Sequence, residues 1–341
     1  MQIERILVVG YGSIGQRHLG IARSLLPDAN IRVLRHQSCE AIPELADGCM
    51  TSLAEAMAFA PQAAVIASPS VFHMDTAQPL AEAGVHLMVE KPLASSLNGV
   101  RQLLGTSVAS GSVLMTAYNL RFMPSLQRYR DLIQSGRIGR VISVRCEIGQ
   151  YLPSWRPGSD YRRGVSATAA MGGGVLLELS HEIDYLRWIF GEVDSVQATL
   201  SRQSNLEIDV EDTAHLILGF AERKDRGKLI AALNMDFVRQ DTTRHCLAIG
   251  EKGSLRWDGL AGTVEVFPEG GSTWEQVFVH LPQRDESYTA EWKHFLACIR
   301  DGSAPLVSGQ DGLATLKIIQ AARDSAAAIK AMPVSSTEEL V

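Results

Sequence analysis

Residues 5–18 read "RILVVGYGSIGQRH": an apolar run, a turn holding three glycines, then a stretch with helical spacing. Gly10, Gly12 and Gly15 have the G-x-G-x-x-G spacing. By itself that pattern is weak, but here it closes a strand and opens a helix, the context of a dinucleotide fingerprint. Gly10 makes the tight turn, Gly12 lets the backbone approach a pyrophosphate, and Gly15 permits close helix–strand packing. The free amides that follow, at Ser13 and Ile14, join the helix dipole in holding phosphate charge.

Working outward, "IRVLR" (31–35), "AAVIASP" (63–69), "VHLMVEKP" (85–92) and "SVLMTAYN" (112–119) are further near-continuous apolar runs. Such runs suit strands buried on both faces of a parallel sheet. Helical stretches separate them, several closed by glycine. The alternation predicts an α/β Rossmann domain, a doubly wound parallel sheet, over residues 1–120. After residue 140, seven strand-like segments are separated mostly by short polar turns. They predict an α+β domain with a large, mostly antiparallel open sheet over 121–341. One long helix is expected across "VLLELSHEIDYLRWIFG" (175–191), and a last helix, about 309–330, is expected to pack back on the first domain.

Length makes two domains the better prior, at 341 residues. A net charge of −6 with no basic run argues against nucleic acid or a membrane surface as partner. No apolar run is long enough to span a bilayer. Cys39, Cys49, Cys146, Cys246 and Cys298 are odd in number and widely spaced, with no C-x-x-C pair. No disulfide framework or zinc site is expected from them. With no leader before the first strand, a cytoplasmic protein is the expectation.

The carboxyl ends of the strands of such a sheet are where ligands bind. An NAD-selective site carries an acid about 20 residues beyond the fingerprint, at the end of the second strand. Here Arg35 and His36 stand there, which points to NADP(H) in preference to NAD(H). Ser68 and Pro69, ending the third strand, are expected to line the cofactor, with His73 in support. The next tip carries Glu90-Lys91-Pro92. Glu90 suits ribose hydroxyls, and Lys91 suits a substrate hydroxyl whose oxyanion develops as hydride leaves. Pro92 is a candidate for a cis bond.

Together these motifs resemble the glucose–fructose oxidoreductase / inositol 2-dehydrogenase (Gfo/Idh/MocA) family. The likeness continues through "AYNLRFMPSLQRYRDLIQSGRIGRV" (117–141), similar to the family's Asn-x-Arg-Phe stretch, and through "GGGVLLELSHEIDYLRWIFGEV" (172–193). It spans essentially the whole chain. The resemblance implies oxidation or reduction at a sugar or polyol carbon, with Lys91 and His181 as the catalytic pair. It further implies Asn119 beside the cofactor and Arg121 beside the substrate. One departure is visible: family members commonly carry an Asp four residues before the catalytic His, whereas Glu178 stands three before His181. On a helix both spacings are neighbours, so the longer Glu reaches the same place.

Helical spacing singles out His181 independently. Leu179, Ile183, Leu186 and Phe190 form an apolar stripe. His181 lies on roughly the opposite side with Trp188, flanked by Glu178 and Asp184, so that face is expected to be covered. Glu178 and Asp184 are therefore candidate catalytic partners. As a metal set the three lack a convincing spacing, and no metal is expected. Trp155, Arg156 and Tyr161, in "YLPSWRPGSDYRRG" (151–164), suit a sugar ring carrying an anionic group.

The expected activity is thus NAD(P)-dependent hydride transfer at a sugar, nucleotide-sugar or cyclitol hydroxyl, in a homodimer or homotetramer. The rivals are a dinucleotide-binding sensor without turnover and a metal-dependent enzyme on the same fold.

Overall fold

Every strand expected in the first half forms, in the expected order. The computed structural model, which describes residues 3–36, 39–221 and 228–328, begins with β1 (Arg5–Val9), α1 (Ser13–Leu25), β2 (Asn30–Leu34), β3 (Gly48–Met50) and α2 (Leu53–Phe59). It continues through β4 (Ala63–Ile66), α3 (His73–Glu82), β5 (His86–Glu90), α4 (Val100–Ser110) and β6 (Leu114–Ala117). The strands pair in parallel in the order β3-β2-β1-β4-β5-β6. Because the chain winds outward from β1 in both directions, a crevice opens at the carboxyl ends of β1 and β4. Alternation along β1 sends Ile6 and Val8 into one core and Leu7 and Val9 into the other.

Within the first 140 residues a strand and an α-helix escaped the sequence reading. β3 is only three residues long. The other is α5 (Pro124–Gln134), which starts on Pro124 and buries Leu126, Tyr129 and Leu132 on one face. Proline at the first helical position and apolar residues three apart were the available signals.

The second half holds β7 (Val141–Gly149), α6 (Val175–Glu178), α7 (His181–Phe190), β8 (Val193–Ser201), β9 (Thr213–Phe220), β10 (Ile230–Asp236) and β11 (Thr243–Gly250). β12 (Gly253–Asp258), β13 (Thr263–Pro268) and β14 (Glu275–Val279) complete an eight-stranded sheet of order β14-β13-β12-β11-β7-β10-β9-β8. Only β7 and β10 pair in parallel. β11 runs antiparallel to β7, with Arg244 opposite Ile148, so its first residues lie beside the end of β7.

The single helix expected over 175–191 is two. α6 stops at Glu178, Leu179 leaves helical geometry (φ −98°, ψ 25°), and α7 begins at His181. The Glu182 amide donates to the Leu179 carbonyl at 3.3 Å, instead of reaching back four residues. That leaves the Glu178 carbonyl free to accept from Lys91 Nζ at 3.0 Å.

α8 (Glu286–Asp301) returns to the first sheet, burying Trp292 and Phe295 in the Ile6/Val8 core. α9 (Gly309–Ala328) spans both sheets. A Cβ at Gly309 would sit 2.7 Å from Leu104 and Leu114, while farther along Ser325 Oγ accepts from the Ala198 amide of β8 at 3.1 Å. Positions 329–330, expected in this helix, lie outside the described residues. Cys39 and Cys49 are disulfide-bonded, contrary to expectation, with Cα atoms 6.0 Å apart. Pairing of β2 with β3 brings Cys49 beside Val33, which spacing along the chain does not reveal. Among the described residues no helix is long and apolar enough to cross a membrane.

Candidate active site

A cleft of about 1080 Å³ lies between the strand tips of the first sheet and residues of α6, β11 and the loop after β7. Its floor is the fingerprint turn. Gly10 has φ +91°, and a Cβ there would lie 2.8 Å from the Ala67 carbonyl oxygen. A Cβ at Gly15 would collide with the Gly10 carbonyl oxygen, so this glycine serves packing and does not line the cleft. At Gly12 a Cβ would meet nothing within 4 Å. No side chain caps α1 and no acid sits in its first turn, so the amides from Ser13 onward are free for an anion. Ser68 Oγ, buried on the opposite wall, has no partner. This cradle fits a dinucleotide.

Arg35 and His36 line the same cleft. The Arg35 guanidinium lies 5.4 Å from the Tyr11 ring centroid, and His36 packs on Phe72 at 5.8 Å. His73 is not beside the cofactor space. It is buried, its ring nitrogens 2.8 Å from the Ser68 carbonyl and 3.2 Å from that of Leu93, tying the ends of β4 and β5 together.

The tip of β5 is buttressed from behind. Trp292 Nε1 donates to His18 Nδ1 at 2.9 Å. Indole nitrogen only donates, so His18 carries its proton on Nε2 and gives it to Glu90 Oε1 at 2.7 Å. Glu90 Oε2 accepts from the Lys91 amide at 3.0 Å. Burial pushes the Glu90 pKa up, but the His18 hydrogen bond and the Lys91 charge outweigh it and hold the carboxyl below its usual range. Glu90 thus stays ionised and fixes the backbone from which Lys91 projects. The Lys91–Pro92 bond is cis.

Across the cleft, Glu178 faces Lys91, not His181: its Oε2 lies 3.7 Å from Lys91 Nζ. The break after α6 separates it from the imidazole. His181 packs edge-on against Tyr118, with centroids 5.4 Å apart, and its buried Nδ1 has no partner among the described residues. Burial, and then the charges of Lys91 and Arg244, hold its pKa well below the ordinary 6.5. The ring is therefore a neutral base at physiological pH. Arg244, which sequence reading missed, lines the cleft and donates through Nε to Glu182 Oε1 at 2.8 Å. Its signal was period two along β11, which puts it on the face of the buried Cys246 and Ala248.

Other expected residues lie elsewhere. Asp184 and Arg121 form a buried bidentate pair, at 2.6 and 2.8 Å, off the cleft. Trp188 is covered as anticipated, but by the guanidinium groups of Arg121 and Arg130. Asn119 Nδ2 donates to Ser287 Oγ at 2.8 Å and does not line the cleft. Trp155 and Arg156 do line it, whereas Tyr161 turns to the far side of its loop, its hydroxyl accepting from the Glu207 amide at 3.3 Å. Among the described residues, no group of three or more His, Cys, Asp or Glu side chains could hold a metal ion.

Residues 4–118 match the family model for the oxidoreductase family's NAD-binding Rossmann fold, and residues 130–334 that for its C-terminal alpha/beta domain. Inositol 2-dehydrogenase of Rhizobium meliloti is 27% identical over 338 residues, covering 95% of this chain and 97% of the relative. Myo-inositol 2-dehydrogenase of Thermotoga maritima is 28% identical over 271 residues, 77% of each chain. Levoglucosan dehydrogenase, solved in complex with NADH, superposes with a TM-score of 0.82 over 96% of this chain and 97% of its own, at 21% identity.

Proposed function

The chain belongs to the Gfo/Idh/MocA oxidoreductase family, with an NAD-binding Rossmann domain, and we propose that it transfers hydride at a hydroxyl-bearing carbon of a sugar, nucleotide sugar or cyclitol. The names of its inositol dehydrogenase relatives support that substrate class. The observation that carries the chemistry is Lys91, at the tip of β5, held by the Glu178 carbonyl three residues before His181, with Arg244 of β11 lining the same cleft. When bound, the dinucleotide accepts or returns the hydride. The Gly10–Gly15 turn and the amides of α1 hold its pyrophosphate, and Ser68 and Pro69 flank it. Lys91 donates to the reacting hydroxyl and stabilises the charge that grows on its oxygen. His181, neutral and without a hydrogen bond to any described residue, takes the hydroxyl proton on a ring nitrogen. Glu178 holds Lys91 through its carbonyl.

Arg35 and His36, with no carboxylate between them and the ribose position, support a preference for NADP(H) over NAD(H). Exposed Ile142, Ile217 and Ile230 on the second sheet support self-association as a homodimer or homotetramer. Nicotinamide absorbance, followed with polyols, sugars and nucleotide sugars and both cofactors, tests the activity; no turnover in any combination would refute it. Titrating both cofactors tests the preference. Arg35→Asp is expected to weaken NADP(H) by roughly ten- to a hundredfold. Tighter binding of NAD(H) by the unmodified enzyme would mean Arg35 points away from the phosphate.

A further inference from the structure

The substrate end of the cleft carries more unassigned positive charge than hydride transfer requires. Lys91 is spoken for by Glu178. Glu90 is 6% exposed and engaged by His18 and the Lys91 amide. Two guanidinium groups remain. Arg156 projects from the loop after β7, exposed, with no side-chain hydrogen bond or ion pair to any described residue. Arg244 stands at the start of β11, its side chain 20% exposed. It spends only Nε on Glu182 and makes no other side-chain hydrogen bond among the described residues. Glu182 lies behind it, fully buried, with Oε2 unpartnered. Burial pushes that carboxyl above its usual range against the pull of Arg244, so the counter-charge is held at a cost. The antiparallel register of β7 and β11 brings both arginines to one end of the sheet. A guanidinium is a planar fork that matches carboxylate or phosphate oxygens two at a time.

We propose that the substrate is an anionic sugar, one bearing a carboxylate or phosphate, whose charged group is received by Arg244 and Arg156 while its hydroxyl meets Lys91 and His181. The assignment rests on the hydride-transfer reading above and narrows its substrate class. Arg244 and Arg156 line the same cleft as Lys91, so an anion received by them shares that cleft with the reacting hydroxyl. The chain as a whole is acidic, at −6, so attraction of an anion is a property of this cleft and not of the surface in general.

The test is calorimetric titration of the NAD(P)H-loaded enzyme with matched compounds: glucose, glucuronate and glucose 6-phosphate, then UDP-glucose and UDP-glucuronate. The first set separates a ring carboxylate from a ring phosphate. The second separates a carboxylate from the diphosphate. At least one anionic member is expected to bind about tenfold or more tightly than its neutral or less charged partner. Arg156→Gln and Arg244→Lys are each expected to weaken that compound by roughly ten- to a hundredfold, and Arg156→Gln to leave NADH affinity and the neutral partner's affinity unchanged. Arg156 is exposed, so its variant folds even if the Arg244 site repacks. The proposal is overturned if no anionic compound binds, if neutral members bind equally well, or if neither substitution matters. Nicotinamide absorbance on the same panel separates the two readings. Turnover confined to neutral sugars would sink the anion site alone; selective anion binding without turnover would sink hydride transfer alone.

Discussion

Two charge clusters flank α7, each built around two cations, and they are finished differently. In the first, Arg121 grips both oxygens of Asp184, and Arg121 and Arg187 share Asp311 Oδ1. Asp311 Oδ2 accepts from the amide and hydroxyl of Ser308 at 2.8 and 2.7 Å. In the second, Lys91 and Glu178 meet side chain to side chain only at 3.7 Å. Glu182 Oε2 and His181 Nδ1 have no partner, and Arg244 uses one nitrogen. Hydrogen bonding is complete only in the first. A buried polar group left short costs free energy. The saturated cluster lies off the cleft; the unsaturated one meets it through Lys91, Glu178 and Arg244.

The comparison breaks first at the proposed catalytic pair. Lys91→Met and His181→Ala are each expected to lower kcat by about two to four orders of magnitude while folding and NADH binding persist. Near-normal turnover in either variant removes that residue from the chemistry. The saturated cluster should respond in the opposite sense. Arg121→Met strands Asp184 in the interior and is expected to cost about 3–5 kcal/mol in denaturant unfolding, with kcat per folded molecule unchanged. Should it instead impair kcat with stability intact, Arg121 belongs to the site after all.

A subtler effect sharpens the contrast. Because the His181 pKa is depressed, the acid limb of the kcat/KM profile should lie below pH 6.5. Arg244→Gln removes a positive charge that disfavours the imidazolium, so the limb should move up in pH. An unmoved or downward limb would detach Arg244 from His181.

The smallest effect belongs to Glu291, the limiting case of a carboxyl with no cation at all. It is fully buried in α8, both oxygens unpartnered, and burial followed by the Glu90 charge raises its pKa well above the usual value. Between about 4.5 and that raised value the unfolded chain has lost this proton while the folded protein keeps it. Stability therefore falls as pH rises across the window, by about 1.4 kcal/mol per pH unit at most. Glu291→Gln should flatten that slope and change stability little at its acid end. An unchanged slope in urea unfolding at pH 5, 6 and 7 would show that Glu291 is ionised.

Most of the cofactor half of the cleft was legible: Gly10, Gly12, Arg35, Ser68, Glu90 and Lys91 all face it, whereas Gly15, His73 and Asn119 lie off it. Strand tips in a doubly wound sheet converge by topology alone, so position along the chain predicts position in space. The substrate half was legible only in part. Trp155 and Arg156 were found, but Arg121, Asp184 and Tyr161 were assigned to the site and lie off it, while Arg244 was overlooked. An assumed continuous helix led from Glu178 to His181, and the break at Leu179 sends Glu178 to Lys91 instead.

The sequence by itself determined the parallel sheet, the glycine turn and the residues at its strand ends. Apolar periodicity and turn chemistry act over a few residues and are written locally. Only the tertiary structure decided which charge meets which. Glu178 reaches Lys91 across 87 residues, Glu182 reaches Arg244 across 62, and Trp292 orients His18 across 274. Those pairings depend on two sheets and a returning helix packing together, and a pairwise contact between distant side chains leaves no periodic trace in either segment that makes it.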